Sequence, residues 1–104
     1  MIQPILKTQL GRIEKLFREH KVKRAFAFGS VCTDHFSDKS DIDLLISFQD
    51  DQIAMEDYAD NYFDLVYKLE EILGREVDLI TERTVKNQYF LNVVERTKTP
   101  IFHG

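Results

Sequence analysis

Hydrophobic positions at the start of the chain recur at steps of three and four residues. They fall at Ile2, Ile5, Leu6, Leu10, Ile13, Leu16 and Phe17. This spacing is typical of one face of an amphipathic helix, so a single helix is predicted over residues 2–17. Residues 21–24 are mostly basic and predict a short turn. The apolar residues 25–28 that follow predict a buried strand that ends at Gly29.

The middle of the chain contains a second strand pattern and the strongest helix pattern. Residues 30–40 are polar and rich in turn formers, which predicts a loop, and the apolar run 42–48 predicts a strand. A long amphipathic helix is then predicted, closed by Gly74 as its C-cap glycine. Its apolar stripe is formed by Tyr58, Tyr62, Leu65, Val66, Leu69, Ile72 and Leu73.

The last thirty residues predict a strand, a helix and a short edge strand. Residues 76–80 are the strand, and Thr81 or Thr84 is expected to cap the helix that follows. Pro100 prevents that helix from continuing, and residues 101–102 are a candidate edge strand. The stripe of the helix is formed by Val85, Tyr89, Phe90, Val93 and Val94.

The order of elements predicts an α/β (α+β) fold, with helices packed on a small mixed β-sheet. The first two strands are separated by too few residues for a helical crossover, so they are expected to be antiparallel neighbours. The chain has 104 residues, no internal repeats and no linker, so residues 1–104 are predicted to form a single domain.

Composition excludes several classes of function. The chain is 43% hydrophobic and 31% charged, a balance typical of soluble globular proteins. The net charge of −4 lacks the basic footprint of a nucleic-acid binder, so no direct nucleic-acid binding is expected. No apolar run is long enough for a membrane span. The single cysteine, Cys32, excludes an intrachain disulfide and fits a cytoplasmic protein.

Two short motifs flank the polar loop. Gly29-Ser30 ends the first strand, and a glycine followed by a hydroxyl and free backbone N–H groups can bind an anion. Asp41 and Asp43 begin the second strand, where side chains two residues apart point to the same side, roughly 6.6 Å apart along the strand. The alternatives are an ordinary turn at Gly29, and a capping Asp41 followed by a solvated Asp43.

Asp78 is the third candidate, because it interrupts an otherwise apolar strand. Val77 and Leu79 share one face, and Asp78 and Ile80 share the other. Taken alone, Asp78 fits the solvent face of a half-exposed sheet. Together with Asp41 and Asp43 it can complete a set of hard oxygen ligands for Mg²⁺ and accept the proton of an attacking hydroxyl.

These residues together resemble a known pattern. Gly29-Ser30, ten intervening residues, Asp41-x-Asp43 and a later strand with Asp78 are similar to the nucleotidyltransferase superfamily that includes DNA polymerase beta. The order of elements over nearly the whole chain resembles the minimal nucleotidyltransferase (MNT) branch. Many relatives continue after Gly-Ser with a small residue, arginine and glycine. Here Thr33-Asp34 stand in place of that Arg-Gly, which removes one expected contact to the nucleotide.

The resemblance implies an enzyme and the roles of its residues. Gly29 and Ser30 would bind the triphosphate. Asp41, Asp43 and Asp78 would be the catalytic residues and the ligands of Mg²⁺, with two ions expected. Asp78 would also be the general base. ATP is the expected substrate, and the product would carry a nucleoside monophosphate on a hydroxyl.

The resemblance also implies a partner, because the chain contains no acceptor domain. Minimal nucleotidyltransferases pair with an all-helical HEPN protein as antitoxin and toxin, and can attach AMP to a tyrosine of the HEPN protein. The aromatic residues Tyr58, Tyr62, Phe63 and Tyr67 are expected to contribute to a partner surface. For the three tyrosines the alternative is a place in the core or at its boundary. Self-association is compatible with the sequence as well.

Three other functions fit the same sequence. The chain can be the catalytic subunit of a small-molecule nucleotidyltransferase, or an antitoxin that neutralises its partner by binding alone. The absent arginine after Gly29-Ser30 favours the second of these. A plain interaction domain without nucleotide is the third, and it would show no Mg²⁺-dependent stabilisation by ATP.

Overall fold

Four strands form one mixed sheet: β1 (Val22–Phe28), β2 (Ile42–Phe48), β3 (Val77–Thr81) and β4 (Thr99–His103). In this computed structural model, which describes residues 2–104, their spatial order is β3-β2-β1-β4. β1 is antiparallel to both β2 and β4, whereas β2 and β3 are parallel. The predicted mixed sheet and the antiparallel pairing of the first two strands are therefore confirmed.

The N-terminal segment forms two helices, α1 (Pro4–Lys7) and α2 (Leu10–Glu19), so the prediction of one continuous helix is wrong. The Gln9 N–H donates to Leu6 O, three residues back, instead of continuing the α-helical bonding. The Thr8 hydroxyl donates to Pro4 O at 2.8 Å, a side-chain bond that competes with regular helix geometry. Ile2 and Ile5 still pack against the core, which explains why the apolar spacing does not reveal the break.

β1 begins three residues earlier than the pattern predicts. The predicted basic turn at residues 21–24 is therefore wrong, except for Lys21, whose φ of +61° makes the turn. The register of β1 against β2 shifts between Val22 and Arg24. This bulge leaves both Lys23 and Arg24 exposed while Val22 is buried, so the strand lacks the simple alternation that a regular pleat would show.

The predicted long helix is confirmed as α3 (Tyr58–Leu73), and Gly74 ends it with a φ of +68°. The last helix, α4 (Gln88–Thr97), is capped by Asn87, whose side chain accepts from the N–H groups of Tyr89 and Phe90. The expectation of a threonine cap is therefore wrong. The Thr84 hydroxyl instead donates to Thr81 O at 2.9 Å, and this bond lies in a local turn that precedes the helix.

The two faces of the sheet are covered unequally. One face packs against α1, α2 and α3 in a large core built around residues such as Phe17, Leu44 and Leu69. The other face is covered by α4 alone through a small cluster of Phe28, Leu45 and Val94. The second face is thus only partly covered, which leaves room for polar side chains on it. No helix among residues 2–104 is both long and apolar enough to cross a bilayer.

Side chains of α3 satisfy backbone groups of β3, which is an edge strand of the sheet. The Val77 N–H donates to the Glu70 carboxylate at 3.0 Å. The Tyr62 hydroxyl donates to Leu79 O. These bonds fix α3 to β3 and occupy edge groups that would otherwise be open to pairing with another chain.

Leu69 and Tyr67 give a direct test of which face of α3 stabilises the fold. Leu69 is fully buried, whereas Tyr67 is 66% exposed. Leu69→Ala is expected to lower the free energy of unfolding by about 2–5 kcal/mol. Tyr67→Ala is expected to change it by no more than about 0.5 kcal/mol. Urea denaturation of both variants measures this, and similar losses for the two would contradict the packing described here.

Candidate active site

The predicted carboxylates lie in one row across the sheet. The parallel register of β2 and β3 places Asp43 directly beside Asp78, and the antiparallel register of β1 and β2 places Phe28 beside Asp43. Side chains at directly paired positions project from the same face of a sheet. The row therefore contains the residue before Gly29 on β1, Asp43 on β2 and Asp78 on β3.

This row projects on the face that α4 covers. Leu45 and Ile80 lie two residues after Asp43 and Asp78, and both pack in or against the small cluster under α4. The carboxylates lie at the uncovered end of that face. Asp43 is half-buried there, and Asp78 is exposed. Asp41 is also exposed and immediately precedes β2.

The acidic row has excess negative charge. The pKa of Asp43 is raised to about 6, mainly because the side chain is partly buried and secondly because Asp78 and Asp41 carry negative charge nearby. The ion pairs among residues 2–104 do not include Asp41, Asp43 or Asp78. A cation from solution would stabilise a carboxylate so placed, because no side chain of the described chain forms an ion pair with it.

Gly29 brings the backbone of the next turn against Asp43. Its φ is +73°, in the left-handed region, and it begins a 3₁₀ turn over Gly29–Cys32. A Cβ placed on Gly29 would lie 2.6 Å from Asp43 Oδ2. The positive φ and this close approach both favour glycine at position 29. The structure thus brings the predicted phosphate-binding turn, Gly29 and Ser30, next to the predicted metal ligands.

Thr97, which the sequence analysis did not single out, contacts this turn. The Gly29 N–H donates to Thr97 Oγ1 at 2.8 Å, across 68 positions of sequence. Thr97 is the last residue of α4. The bond ties the end of α4 to the turn. Nothing in the local sequence signals it, since a threonine before a strand is common.

Arg75 also supports the site without touching it. Its Nη1 donates to the carbonyl oxygens of Ser37 at 3.0 Å and Ser40 at 2.9 Å. The guanidinium also lies 4.6 Å from the centroid of the Phe36 ring. Because Ser40 directly precedes Asp41, Arg75 holds the loop that presents Asp41. A lone arginine in a turn gives no sequence signal for this role.

The donor set fits Mg²⁺ better than a softer metal. No three His, Cys, Asp or Glu side chains within residues 2–104 converge closely enough to hold an ion by themselves. Mg²⁺ usually takes one or two protein carboxylates and fills its other positions with water and substrate phosphates. The unpaired, mutually repelling carboxylates beside the glycine turn meet that requirement, with oxygen ligands only. A nucleotide phosphate would complete the coordination.

Asp43→Asn tests the electrostatic strain of the site in metal-free protein. The pKa of Asp43 in the folded state, about 6, lies above its unfolded value of about 3.9, so ionised Asp43 destabilises the fold. This destabilisation is absent below about pH 4, develops up to about pH 6 and is constant above that. Asp43→Asn is therefore expected to stabilise the protein at pH 7.5 by roughly 1–2 kcal/mol, allowing for partial exposure of the side chain.

The measurement is thermal unfolding in EDTA at pH 4 and pH 7.5, where the stabilisation should disappear at the lower pH. Asp34→Asn is the matched control, because the Asp34 side chain is 89% exposed. An equal effect of both substitutions at both pH values would show that Asp43 is not strained by its neighbours.

Gly29→Ala tests the close approach of the turn to Asp43. Gly74→Ala is its control, since both glycines have positive φ but nothing lies within 4 Å of a Cβ on Gly74. Gly74→Ala is expected to cost about 1 kcal/mol and Gly29→Ala about 2–3 kcal/mol. Adding Asp43→Ala to Gly29→Ala should remove the difference. Equal costs for the two single variants in urea melts would contradict the contact.

Comparison with known proteins agrees with this geometry. The family model described as polymerase beta, nucleotidyltransferase, matches residues 11–103. "Putative protein adenylyltransferase MJ1379" of Methanocaldococcus jannaschii is 32% identical over 94 residues, which cover 83% of this chain and 91% of the relative. A solved structure named "putative minimal nucleotidyltransferase" has a TM-score of 0.76 and 27% identity, and covers 96% of each chain.

A second solved structure shares the fold at lower identity. It contains a tri-AMPylated Shewanella oneidensis HEPN toxin in complex with an MNT antitoxin. The TM-score is 0.64 at 21% identity, with coverage of 94% of this chain and 72% of the other. The family model spans almost all of the sheet and both carboxylate-bearing strands. The chain therefore belongs to the polymerase beta nucleotidyltransferase family.

Proposed function

We propose that this protein is a Mg²⁺-dependent nucleotidyltransferase that moves AMP from ATP to a hydroxyl of a partner protein. The acceptor we propose is a tyrosine of a HEPN toxin, which this protein would neutralise as its antitoxin. The observation that carries the proposal is the row formed by the Gly29 turn on β1, Asp43 on β2 and Asp78 on β3. The row brings together, from β1 to β3, the turn that we propose binds phosphate, a proposed metal ligand and a proposed acceptor-side carboxylate.

In this proposal the nucleotide binds at the β1 end of the row and the acceptor hydroxyl at the β3 end. Gly29 and Ser30 would hold the triphosphate at the β1 end. Asp41 and Asp43 would hold Mg²⁺ in the middle. Asp78 would join as the third ligand once the nucleotide binds, because no three such side chains of residues 2–104 converge closely enough without it. Bound Mg²⁺ supplies the positive charge that stabilises the transferred α-phosphate and the leaving pyrophosphate. Asp78 is exposed on an edge strand, so an acceptor hydroxyl can reach it from solvent.

The transfer step follows from this arrangement. The acceptor oxygen attacks the α-phosphorus of ATP, and a new oxygen–phosphorus bond forms. The bond between the α-phosphorus and the bridging oxygen of pyrophosphate breaks, and pyrophosphate leaves. The proton of the acceptor hydroxyl passes to the carboxylate of Asp78, the proposed general base. The products are an adenylylated acceptor and pyrophosphate.

The relatives support the choice of AMP and of a protein acceptor. The archaeal relative is named a protein adenylyltransferase, and the assembly with the MNT antitoxin contains an AMPylated HEPN toxin. The present chain covers 91% of the former, so it lacks little of that relative's length.

One observation favours a second candidate, a non-catalytic antitoxin that acts by binding. The Gly29 N–H already donates to Thr97 Oγ1, so it is not free to bind a phosphate oxygen. Asp34, at the place of the family's Arg-Gly, is exposed and adds negative charge beside the turn. If these features prevent ATP binding, neutralisation would be retained when Asp41 and Asp43 are replaced by asparagine.

Label transfer from α-³²P-ATP distinguishes the two candidates. The acceptor to use is the HEPN-type protein that we expect to be encoded next to this gene. Label is expected on it with Mg²⁺ and is expected to be lost in EDTA. Asp41→Asn with Asp43→Asn should reduce the transfer rate by about 100-fold or more, because the metal supplies several kcal/mol of transition-state stabilisation. Asp38→Asn with Glu19→Gln, two exposed acids outside the acidic row, is the matched control and should transfer normally.

The opposite result identifies the second candidate. No label with any nucleoside triphosphate, together with equal inhibition of the toxin by wild type and by the Asp41→Asn, Asp43→Asn variant, would contradict the enzymatic proposal. Thermal unfolding supplies an independent readout. ATP and Mg²⁺ at about 100 times their Kd should stabilise the wild type by about 2.7 kcal/mol, and should not stabilise that variant.

A further inference from the structure

The outer face of α3 and the turn before it carry an exposed apolar stripe. Met55, Ala59, Phe63 and Tyr67 follow one another at steps of four residues, and we refer to these four as the α3 stripe. Met55 is 90% exposed, and Phe63 and Tyr67 are each 66% exposed. Single exposed apolar residues are ordinary, but a contiguous row of them usually marks an interaction site.

The α3 stripe does not contribute to the core of this chain. The inward face of α3 is formed by Leu65, Leu69 and Leu73, all of which are buried. The stripe instead borders an apolar groove of about 480 Å³ between α3 and the edge strand β3. The groove is lined by aromatic side chains of α3, including Tyr62 and Phe63, and by residues of β3. Rows at steps of four are the ridges through which helices pack on one another.

The charge around the stripe is mostly negative. Arg83 lines the groove as a basic exception, and it pairs with Asp50 at 3.3 Å. Residues 50–71 contain one basic residue, Lys68, and the rest of the chain contains thirteen basic and ten acidic residues. Eight acidic residues lie in this segment: Asp50, Asp51, Glu56, Asp57, Asp60, Asp64, Glu70 and Glu71. Among the ion pairs of residues 2–104, Glu56, Asp57, Asp60 and Glu71 do not take part. The stripe is therefore bordered by unneutralised carboxylates.

This charge determines what can cover the stripe. A second copy of the chain would place one acidic helix against another, which is electrostatically unfavourable. Nucleic acids and anionic membrane surfaces would be repelled in the same way. A protein surface with lysine and arginine around an apolar face would be attracted. We propose that the α3 stripe is the docking site of a partner protein that presents an apolar helix face bordered by basic residues.

This inference rests on the proposed function, because it assigns the surface that would hold the acceptor protein. α3 packs on the sheet face opposite to the carboxylate row, and β3 connects the two regions at the edge of the sheet. A partner on α3 therefore leaves the Gly29–Ser30 turn open for the nucleotide while its acceptor segment passes around the β3 edge to Asp78. Docking should affect the KM for the acceptor and leave nucleotide binding unchanged.

The first test uses a fluorescent 18-residue peptide that has leucines on one helical face and lysines elsewhere. Fluorescence anisotropy should show binding to the wild type in the micromolar range, weakened by salt. Phe63→Ser with Tyr67→Ser should weaken binding at least tenfold. Tyr89→Ser with Val93→Ser is the matched control, since these residues of α4 are 78% and 40% exposed, and it should bind within twofold of the wild type.

Two further peptides distinguish the contribution of charge to binding from that of apolar contact. The same peptide with glutamate for lysine, and a scrambled peptide of the original composition without an apolar face, should both fail to bind. Binding of the scrambled peptide at wild-type strength, equal losses in the α3 and α4 variants, or no binding of the first peptide would overturn the docking proposal.

The second test uses the HEPN-type protein that we expect to be encoded beside this gene. Phe63→Ser with Tyr67→Ser should raise the KM for that protein at least tenfold and leave kcat and the KM for ATP unchanged. Label transfer with an unchanged acceptor KM in this variant would overturn the docking site while the transferase function stands. No transfer by the wild type would count against the transferase function, and the peptide measurements would then decide the docking site separately.

Discussion

The repulsion between the carboxylates of Asp43 and Asp78 is the constraint around which this site is built. The parallel register of β2 and β3 pairs the two residues directly, so neither can move away without shifting a strand. The pKa of Asp43 shows the consequence, since burial and the charges of Asp78 and Asp41 raise it to about 6. A fold that maintains such a pair is less stable than it would be with neutral side chains, unless a cation binds between them.

Other features of the structure follow from maintaining that pair. A parallel pairing requires a crossover, and α3 supplies it, with its inner face buried and its side chains bonded to β3. The turn after β1 passes so close to Asp43 that a Cβ at position 29 would lie 2.6 Å from Asp43 Oδ2, and its positive φ also favours glycine there. α4 covers only part of the carboxylate-bearing face, so the acidic row remains accessible to a nucleotide. The outward face of α3 is left free to contact a partner.

The sequence predicts the elements whose signals are local. Residues 42–48 are almost entirely buried, so their apolar run marks β2 correctly, and Gly74 marks the end of α3. The sequence predicts that Asp43 and Asp78 lie near each other on neighbouring strands. It does not predict their direct pairing, because the register of the strands depends on the tertiary packing of α3. The predicted roles of Gly29, Ser30, Asp41, Asp43 and Asp78 remain proposals, although the structure brings these residues to one end of the sheet.

The features that the sequence does not predict depend on contacts distant in the chain or on local backbone bonds. Thr97 contacts Gly29 across 68 positions of sequence. Arg75 holds the loop before Asp41 by bonds to backbone carbonyl groups, and because every residue has such a group, the sequence does not indicate these bonds. The break between α1 and α2 preserves the apolar spacing, so the pattern on either side of Thr8 resembles one helix. The bulge between Val22 and Arg24 removes the alternation by which the start of β1 could be recognised.

Anomalous diffraction from crystals grown with Mn²⁺ and a non-hydrolysable ATP analogue tests the central claim most directly. Mn²⁺ replaces Mg²⁺ at oxygen sites and can be located by its own scattering. We expect a metal peak bonded to carboxylate oxygens of Asp43 and Asp78, with Asp41 as the remaining protein ligand, at roughly 2.1 Å and with the triphosphate against Gly29 and Ser30. A nucleotide bound elsewhere, or bound in this turn with no metal at the two carboxylates, would contradict it.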